Sequence, residues 1–116
     1  MRNHAEEPKR IQRKRAAGWR MPPNTVYVGR PTKWGNPWPV TPASERSHGV
    51  GEDFYYRRAV EAFSFWIEDE EQAALRSDIR LKLKGKDLAC WCKESMPCHA
   101  DVLLEIANDG LQEDIF

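Results

Sequence analysis

All three cysteines of the chain fall within one ten-residue stretch near its C-terminal end. This stretch also holds one of the three histidines and reads Cys90-Trp91-Cys92-Lys93-Glu94-Ser95-Met96-Pro97-Cys98-His99. Three thiolates and one imidazole form a complete ligand set for tetrahedral zinc. The first chemistry that the sequence indicates is therefore a zinc site made of Cys90, Cys92, Cys98 and His99.

The spacing of these residues leaves other chemistry open, because it is not the common pair of C-x2-C knuckles. Cys98 is predicted near the N-terminus of a helix, where unpaired N–H groups and the helix dipole stabilise a thiolate. Cys98 would then be a catalytic nucleophile, His99 its base and Asp101 the group that orients His99. Cys90 or Cys92 could instead act as nucleophile or resolving thiol. A further interpretation is that all three cysteines are buried and unreactive.

A second group of polar and aromatic residues follows the first predicted strand, which covers residues 25–28 and ends at Gly29. This loop contains hydrogen-bond donors for a phosphate or carboxylate and a ring for stacking, namely Arg30, Thr32, Lys33, Trp34 and Asn36. Loops that follow strands are common places for binding residues. The competing interpretation is that the tryptophans cover one end of the core and that Gly35-Asn36 forms a turn.

The remaining patterns predict the elements that would position both groups. Apolar residues recur at helical spacing over residues 52–67 and 73–83, a strand is predicted over 87–92, and a last helix runs from Cys98 to about residue 110. This order indicates a small α/β domain in which a short parallel or mixed sheet is packed by about three helices. Two clear strands are too few for an isolated sheet, so we expect another strand within residues 37–51, near a terminus, or from a partner chain.

Charge is unevenly distributed along a chain whose net charge is zero. Residues 1–20 contain seven Lys or Arg against two Glu, whereas the last sixteen residues contain five acids and no base. We predict a disordered basic arm over residues 1–12, a single α/β domain over 13–110 and an acidic tail over 111–116. A basic arm is typical of nucleic-acid contact, although a solvated terminus has the same composition.

The chain contains no apolar run of the roughly 18 residues that a membrane span needs, and its N-terminus lacks an apolar signal region. We therefore expect a cytoplasmic protein. In a reducing compartment, clustered cysteines favour metal binding or catalysis over a disulfide framework.

The two motifs together resemble a known family. Trp34-Gly35-Asn36-Pro37, followed by Cys90-Trp91-Cys92 and Cys98-His99-Ala100-Asp101-Val102-Leu103, is similar to a small domain of unknown function that occurs in bacteriophages, prophages and bacteria. The resemblance covers about residues 10–108. It implies a compact α/β fold in which the two motif loops lie together, and it supplies no reaction. Members more typically have Gly where this chain has Ala100 and Phe where it has Trp38.

Three functions remain open from the sequence. The first is a small enzyme acting on a nucleotide, nucleobase or modified nucleic acid, which the loop 30–36 and the basic arm would bind. The second is a non-catalytic, zinc-stabilised module that binds nucleic acid or protein. The third is a host-interaction protein whose exposed aromatic residues, such as Trp34 and Trp38, contact the partner.

Overall fold

A computed structural model describes residues 7–113, with side chains as far as Asn108. In this part of the chain the architecture is a three-stranded parallel sheet with three helices. The strands are β1 (Arg10–Gln12), β2 (Thr25–Tyr27) and β3 (Asp87–Cys90), in the order β1-β3-β2. The helices are α1 (Glu52–Glu68), α2 (Ala73–Leu83) and α3 (His99–Glu113). The predicted fold class, a small α/β domain with a short sheet and three helices, is confirmed.

The additional strand expected from the sequence is β1, close to the N-terminus. It pairs in parallel with β3, and Ile11 lies opposite Ala89. The predicted disorder of residues 1–12 is therefore wrong for Arg10–Gln12, while residues 1–6 lie outside the described residues. The local sequence gives little signal because Ile11 is the one apolar residue of the strand. Pairing with the buried central strand, rather than intrinsic propensity, fixes its extended conformation.

Other element boundaries differ from the prediction by a few residues. Strand β3 ends at Cys90, two residues earlier than expected, so Trp91 and Cys92 lie beyond the ladder. Helix α3 continues through Gly110 to Glu113, and the predicted acidic tail is thus helical over residues 111–113. A glycine within a helix costs only about 1 kcal/mol, which the neighbouring helical residues can offset. Residues 114–116 of that tail lie outside the described residues.

The helices cover the face of the sheet that carries Val26, Leu88 and Cys90. These strand residues share one hydrophobic cluster with side chains from every helix, including Phe63, Ile67, Ile79, Leu83 and Leu103. Since all three strands are parallel, the loops after β2 and β3 leave the sheet at the same edge. None of the helices within residues 7–113 has both the length and the apolar character needed to cross a membrane.

Candidate metal centre and cleft

The three cysteine sulfurs meet at the carboxyl edge of the sheet. Cys90 is the last residue of β3, Cys98 immediately precedes α3, and their Sγ atoms are 3.1 Å apart. The Sγ of Cys92 joins them, and all three sulfurs lie within 4.8 Å of one another. In a tetrahedral zinc site with bonds of about 2.3 Å, sulfurs are separated by about 3.8 Å. The donor chemistry and the spacing therefore fit a zinc ion, with only small side-chain movements.

His99 is buried beside this cluster. Its Nε2 lies 2.8 Å from the carbonyl oxygen of Val28, and its Nδ1 lies 3.6 Å from the Sγ of Cys98. Burial lowers the pKa of His99, which keeps the ring neutral. A carbonyl can only accept a hydrogen bond, so Nε2 carries the proton and Nδ1 presents its lone pair to Cys98. The group of mutually close ligand atoms contains the three sulfurs and does not include His99.

The pKa values of the three thiols shift in different directions, because the thiols hydrogen-bond to one another. Hydrogen bonds from the thiols of Cys92 and Cys98 lower the pKa of Cys90 to about 3. Because Cys92 donates to Cys90, the pKa of Cys92 is raised to about 11, and the same contacts together with burial raise the pKa of Cys98. In the metal-free cluster these shared hydrogen bonds favour a thiolate on Cys90 and a protonated thiol on Cys98. This differs from the expectation that the helix N-terminus would make Cys98 the thiolate.

Asp101 stabilises the start of α3 and does not orient His99 as expected. Its carboxylate accepts a hydrogen bond from the backbone N–H of Cys98 at 3.2 Å and pairs with Arg10 at 2.9 Å. This arrangement is one half of a capping box. The Arg10 guanidinium also donates to the carbonyls of Lys93 and Glu94, at 3.0 and 2.7 Å. Arg10 therefore fixes the loop between Cys92 and Cys98 to the beginning of the helix.

The cysteine cluster lines a cleft of about 290 Å³. The loop after β2 contributes to the same cleft, so the two sequence motifs form one site. Besides Cys90, Cys92, Cys98 and His99, the lining includes Tyr27, Arg30, Asn36, Trp38, Tyr56 and Trp91. The cleft thus combines soft metal ligands, a cation and several aromatic rings.

Most residues predicted to bind a ligand from the loop 29–36 instead hold the loop in place. The Thr32 hydroxyl donates to the Gly29 carbonyl at 2.6 Å, and Lys33 pairs with Asp78 of α2 at 2.7 Å. Trp34 is 8% exposed and belongs to the hydrophobic core, so its ring is not offered for stacking in the cleft. Composition could not separate these roles, because a side chain has the same donors whether it binds a ligand, a neighbouring carbonyl as Thr32 does, or a distant carboxylate as Lys33 does.

Asn36 lines the cleft, but both ends of its amide are already bonded. The Nδ2 donates to the Ala59 carbonyl of α1 at 2.9 Å, and the Oδ1 accepts from the Trp38 N–H at 2.8 Å. Gly35 lets the loop close tightly, since a Cβ there would lie 2.9 Å from the Cγ of Arg30. In the Trp-Gly-Asn-Pro motif, Trp34 therefore packs in the core, Gly35 allows close contact with Arg30, and Asn36 links the loop to α1.

Arg30 is the exception within this loop. Its side chain is exposed, it lines the cleft, and its guanidinium makes no hydrogen bond or ion pair with any residue that the structure describes. The loop is held by other residues, so the Arg30 side chain can meet a ligand. A guanidinium binds a phosphate or carboxylate through two parallel hydrogen bonds.

The family model described as "Domain of unknown function (DUF4326)" matches residues 11–109. The chain belongs to this family. The match spans β1 through most of α3 and therefore includes both loops of the cleft. No curated protein and no solved structure matches the chain. The family description assigns no activity.

The structure adds residues to the site that the sequence did not indicate. They are the cleft rings Tyr27, Tyr56 and Trp91, together with Arg10 and Arg13. Strict alternation along a strand would have turned Trp91 away from the two neighbouring cysteines. Because β3 ends at Cys90, the chain bends there, and Trp91 joins the cleft. The sequence did not indicate a role for Arg10 and Arg13, because they lie on a segment that pairs with β3 almost 80 residues further along the chain.

Proposed function

We propose that this domain is a zinc-dependent enzyme whose cleft accepts a small anionic substrate with a planar ring, of the nucleotide class. The observation that carries the proposal is the position of the three mutually close sulfurs on the wall of an open cleft that also presents Arg30. Three protein ligands beside a cleft are typical of catalytic zinc, whereas structural zinc is enclosed by four. Thiolates favour zinc over hard cations such as magnesium.

The character of the cleft supports a nucleotide. Arg30 supplies a cation for a phosphate, and Tyr27, Trp38 and Tyr56 supply rings that can contact a base. The volume of about 290 Å³ is near the lower end of the roughly 300–1,000 Å³ usual for ligand sites. One nucleotide, rather than a larger cofactor, suits this space.

The chain's own residues have separate roles in this proposal. Cys90, Cys92 and Cys98 hold the zinc, Arg30 binds and orients the anionic group, and the lone pair of His99 Nδ1 can accept a proton beside Cys98. Zinc with an open coordination position supplies Lewis-acid activation of a water or of a substrate oxygen. We thus place the activity among hydrolytic or group-transfer reactions.

The test combines zinc analysis with binding and turnover of a panel of nucleoside monophosphates. Trp38 and Trp91 line the cleft, so quenching of intrinsic fluorescence reports binding directly. Arg30→Ala should retain zinc and thermal stability but lose at least tenfold in affinity, about 1.4 kcal/mol. Arg58→Ala on α1 is the matched control and should bind as wild type. Failure of the zinc-loaded protein to bind or convert any nucleotide, or wild-type affinity in Arg30→Ala, would overturn the proposal.

A structural zinc site is the second candidate, and the position of His99 favours it. Cys90, Cys98 and His99 are all less than 8% exposed, and Nδ1 needs only a modest approach to become a fourth ligand. Its Nε2–H bond to a carbonyl is the outer contact that zinc-bound histidines usually have. In that case the domain would bind its partner without catalysis, and His99 would be as important for zinc as the cysteines.

A further inference from the structure

Two arginines outside the metal cluster stack on one tryptophan. The guanidinium carbon of Arg13 lies 4.7 Å from the centroid of the Trp91 ring, and that of Arg15 lies 4.4 Å from the same centroid. Arg13 also lies 4.7 Å from the ring centroid of Tyr27. Its backbone N–H donates to the carbonyl of Cys90 at 2.7 Å, which fixes Arg13 to the end of β3. We call this group the Arg13–Trp91–Arg15 stack.

Among the residues whose side chains the structure describes, the two positive charges of the stack have no counter-charge. Neither Arg13 nor Arg15 has a hydrogen bond or ion pair through its guanidinium with any residue from 7 to 108, where side chains are described. The Nε of Arg13 is buried and has no acceptor among these residues. Two like charges beside one ring repel each other, and a buried donor without a partner costs free energy. An anion that contacts these guanidinium groups would offset the repulsion and offer the acceptor that the Arg13 Nε lacks.

The stack is continuous with the cleft. Trp91 and Tyr27, on which the arginines lie, both line the cleft, and Trp91 stands between two of the zinc-ligand cysteines in sequence. Lys14, between the two arginines in sequence, is also exposed, so the segment that contacts Trp91 carries three consecutive cations. A ligand that occupies the cleft and continues past Trp91 would meet these charges.

We propose that the Arg13–Trp91–Arg15 stack binds the phosphate backbone of a single-stranded nucleic acid, one nucleotide of which occupies the cleft. The inference rests on the proposed function and names its substrate class as a polynucleotide. A cleft of about 290 Å³ holds one nucleotide and leaves the neighbouring phosphates outside, where the stack lies. Enzymes that act on a base commonly take a single nucleotide out of the strand in this manner.

The observations favour nucleic acid over an acidic peptide. Single-stranded nucleic acids are bound by positive grooves combined with aromatic rings, because every base has a face that stacks. The cleft that adjoins the stack is walled by Tyr27, Trp38 and Tyr56. An acidic peptide would use the arginines but would leave these rings without a planar partner.

The experiment measures binding of a fluorescein-labelled, mixed-sequence DNA of about ten nucleotides by anisotropy, with the full-length, zinc-loaded protein at several salt concentrations. Arg15→Gln should weaken binding about five- to tenfold and reduce the slope of log K against log salt by roughly 0.7, the value for one lost phosphate contact on a single strand. Arg58→Gln is the matched control, since Arg58 also lies over a ring, that of Phe54, at 5.6 Å. It should leave affinity and slope unchanged.

Binding of a nucleoside monophosphate by the same variants separates this inference from the proposed function. Arg15→Gln should bind the mononucleotide as wild type, because the cleft is intact, while Arg30→Ala should not. Wild-type DNA affinity in Arg15→Gln would overturn the inference, as would competition by poly-glutamate as effective as that by unlabelled DNA. An equal loss of mononucleotide and DNA binding in Arg15→Gln would overturn it too, since the stack would then serve the free nucleotide's own phosphate. None of these outcomes contradicts the proposed function, which is tested by zinc content and by the loss of mononucleotide binding in Arg30→Ala.

Discussion

The ring of His99 distinguishes the two kinds of zinc site that the cysteines can form. Its Nε2 donates a hydrogen bond to the Val28 carbonyl, and its Nδ1 faces the Sγ of Cys98 at a distance typical of a thiol hydrogen bond. In an open site this nitrogen remains available as a proton acceptor. In a closed site it becomes the fourth ligand and leaves no position for a substrate.

We therefore expect His99→Gln to keep one zinc per chain at micromolar zinc while losing turnover. Glutamine can retain a donor toward the Val28 carbonyl but cannot replace the proton-accepting nitrogen. Cys98→Ser, which removes a ligand, should lose the zinc. The measurement is the metal content after gel filtration, with exposed His48→Gln as the histidine control. Loss of zinc in His99→Gln as complete as in Cys98→Ser would show a closed site.

At the residue scale, the sequence predicted the chemistry that a side chain carries by itself. Three cysteines close together can bind a metal wherever the chain brings their sulfurs, and the structure brings them within 4.8 Å. The donors of the loop 29–36 were less predictable. Thr32 and Asn36 have the same donor groups whether they bind a ligand or the backbone, and the carbonyl that Asn36 meets lies 23 residues away.

The loop after β2 depends on the missing side chain of Gly35. A Cβ there would lie 2.9 Å from Arg30 Cγ and 3.1 Å from both the backbone nitrogen and the Cα of Arg30. Contacts to backbone cannot be relieved by a rotamer change, so Gly35→Ala should move the loop and with it Arg30.

We predict that Gly35→Ala lowers the free energy of unfolding by about 1–3 kcal/mol, the usual cost of overpacking, and weakens nucleotide binding. Chemical denaturation and fluorescence titration measure the two effects. Gly51→Ala, where a Cβ meets only the end of the Asp53 side chain, is the control for nucleotide binding. Equal stability and equal ligand affinity of Gly35→Ala and wild type would contradict this role for Gly35.

The connection between β3 and α3 depends on Arg10 of β1. Its side chain is 11% exposed and bonds the Asp101 carboxylate and two loop carbonyls. Hydrogen bonds to charged groups contribute roughly 1.5–3 kcal/mol each, less when solvent competes. Because these bonds all go to oxygen atoms, Arg10 positions Cys92 and Cys98 through the loop and the helix start rather than through their sulfurs.

Replacing Arg10 by Gln should lower stability by about 1–3 kcal/mol. It should also weaken zinc binding by roughly 10-fold or more, as loss of supporting contacts around a metal does. Competition with a zinc-binding dye gives the affinity. Arg57→Gln removes a single exposed i,i+4 pair with Asp53 and should change neither quantity appreciably. Unchanged zinc affinity in Arg10→Gln would mean that the loop holds its shape without the Arg10 side chain.

The helices and strands differ in how well the sequence predicted them, because some are formed by local interactions and others by residues far apart in the chain. Helices α1 and α2 were predictable because their apolar residues repeat within a single turn or two. Strand β1 was not, since its extended conformation depends on β3, almost 80 residues further along the chain. For the same reason, the roles of Arg10 and Arg13 could not be predicted from the sequence.

For the whole molecule, the hydrophobic core extends well beyond the cysteine cluster. Large side chains from α1, α2, β3 and α3 are buried together, and Phe63, Ile67, Ile79, Leu88 and Leu103 are all at most 1% exposed. Metal binding is needed for folding mainly in domains that lack such a core. We expect zinc to stabilise this domain without being required for its fold.

Removal of zinc by a chelator should therefore leave the helical circular dichroism signal and cooperative unfolding intact. The midpoint of thermal unfolding should fall, because a ligand present at about 100 times its Kd stabilises the folded state by about 2.7 kcal/mol. Restoring zinc should restore the midpoint. Complete unfolding on chelation would instead support the structural zinc site with His99 as fourth ligand.

The central claim is an open zinc centre held by Cys90, Cys92 and Cys98 in the cleft, and X-ray absorption at the zinc K-edge tests it most directly. Protein purified without chelators should contain one zinc with three sulfurs at about 2.3 Å and one lighter ligand that is not imidazole. Addition of a bound nucleotide should alter the lighter ligand and leave the sulfurs in place. Absence of zinc at micromolar metal, or an imidazole as the fourth ligand that nucleotide does not change, would contradict the claim.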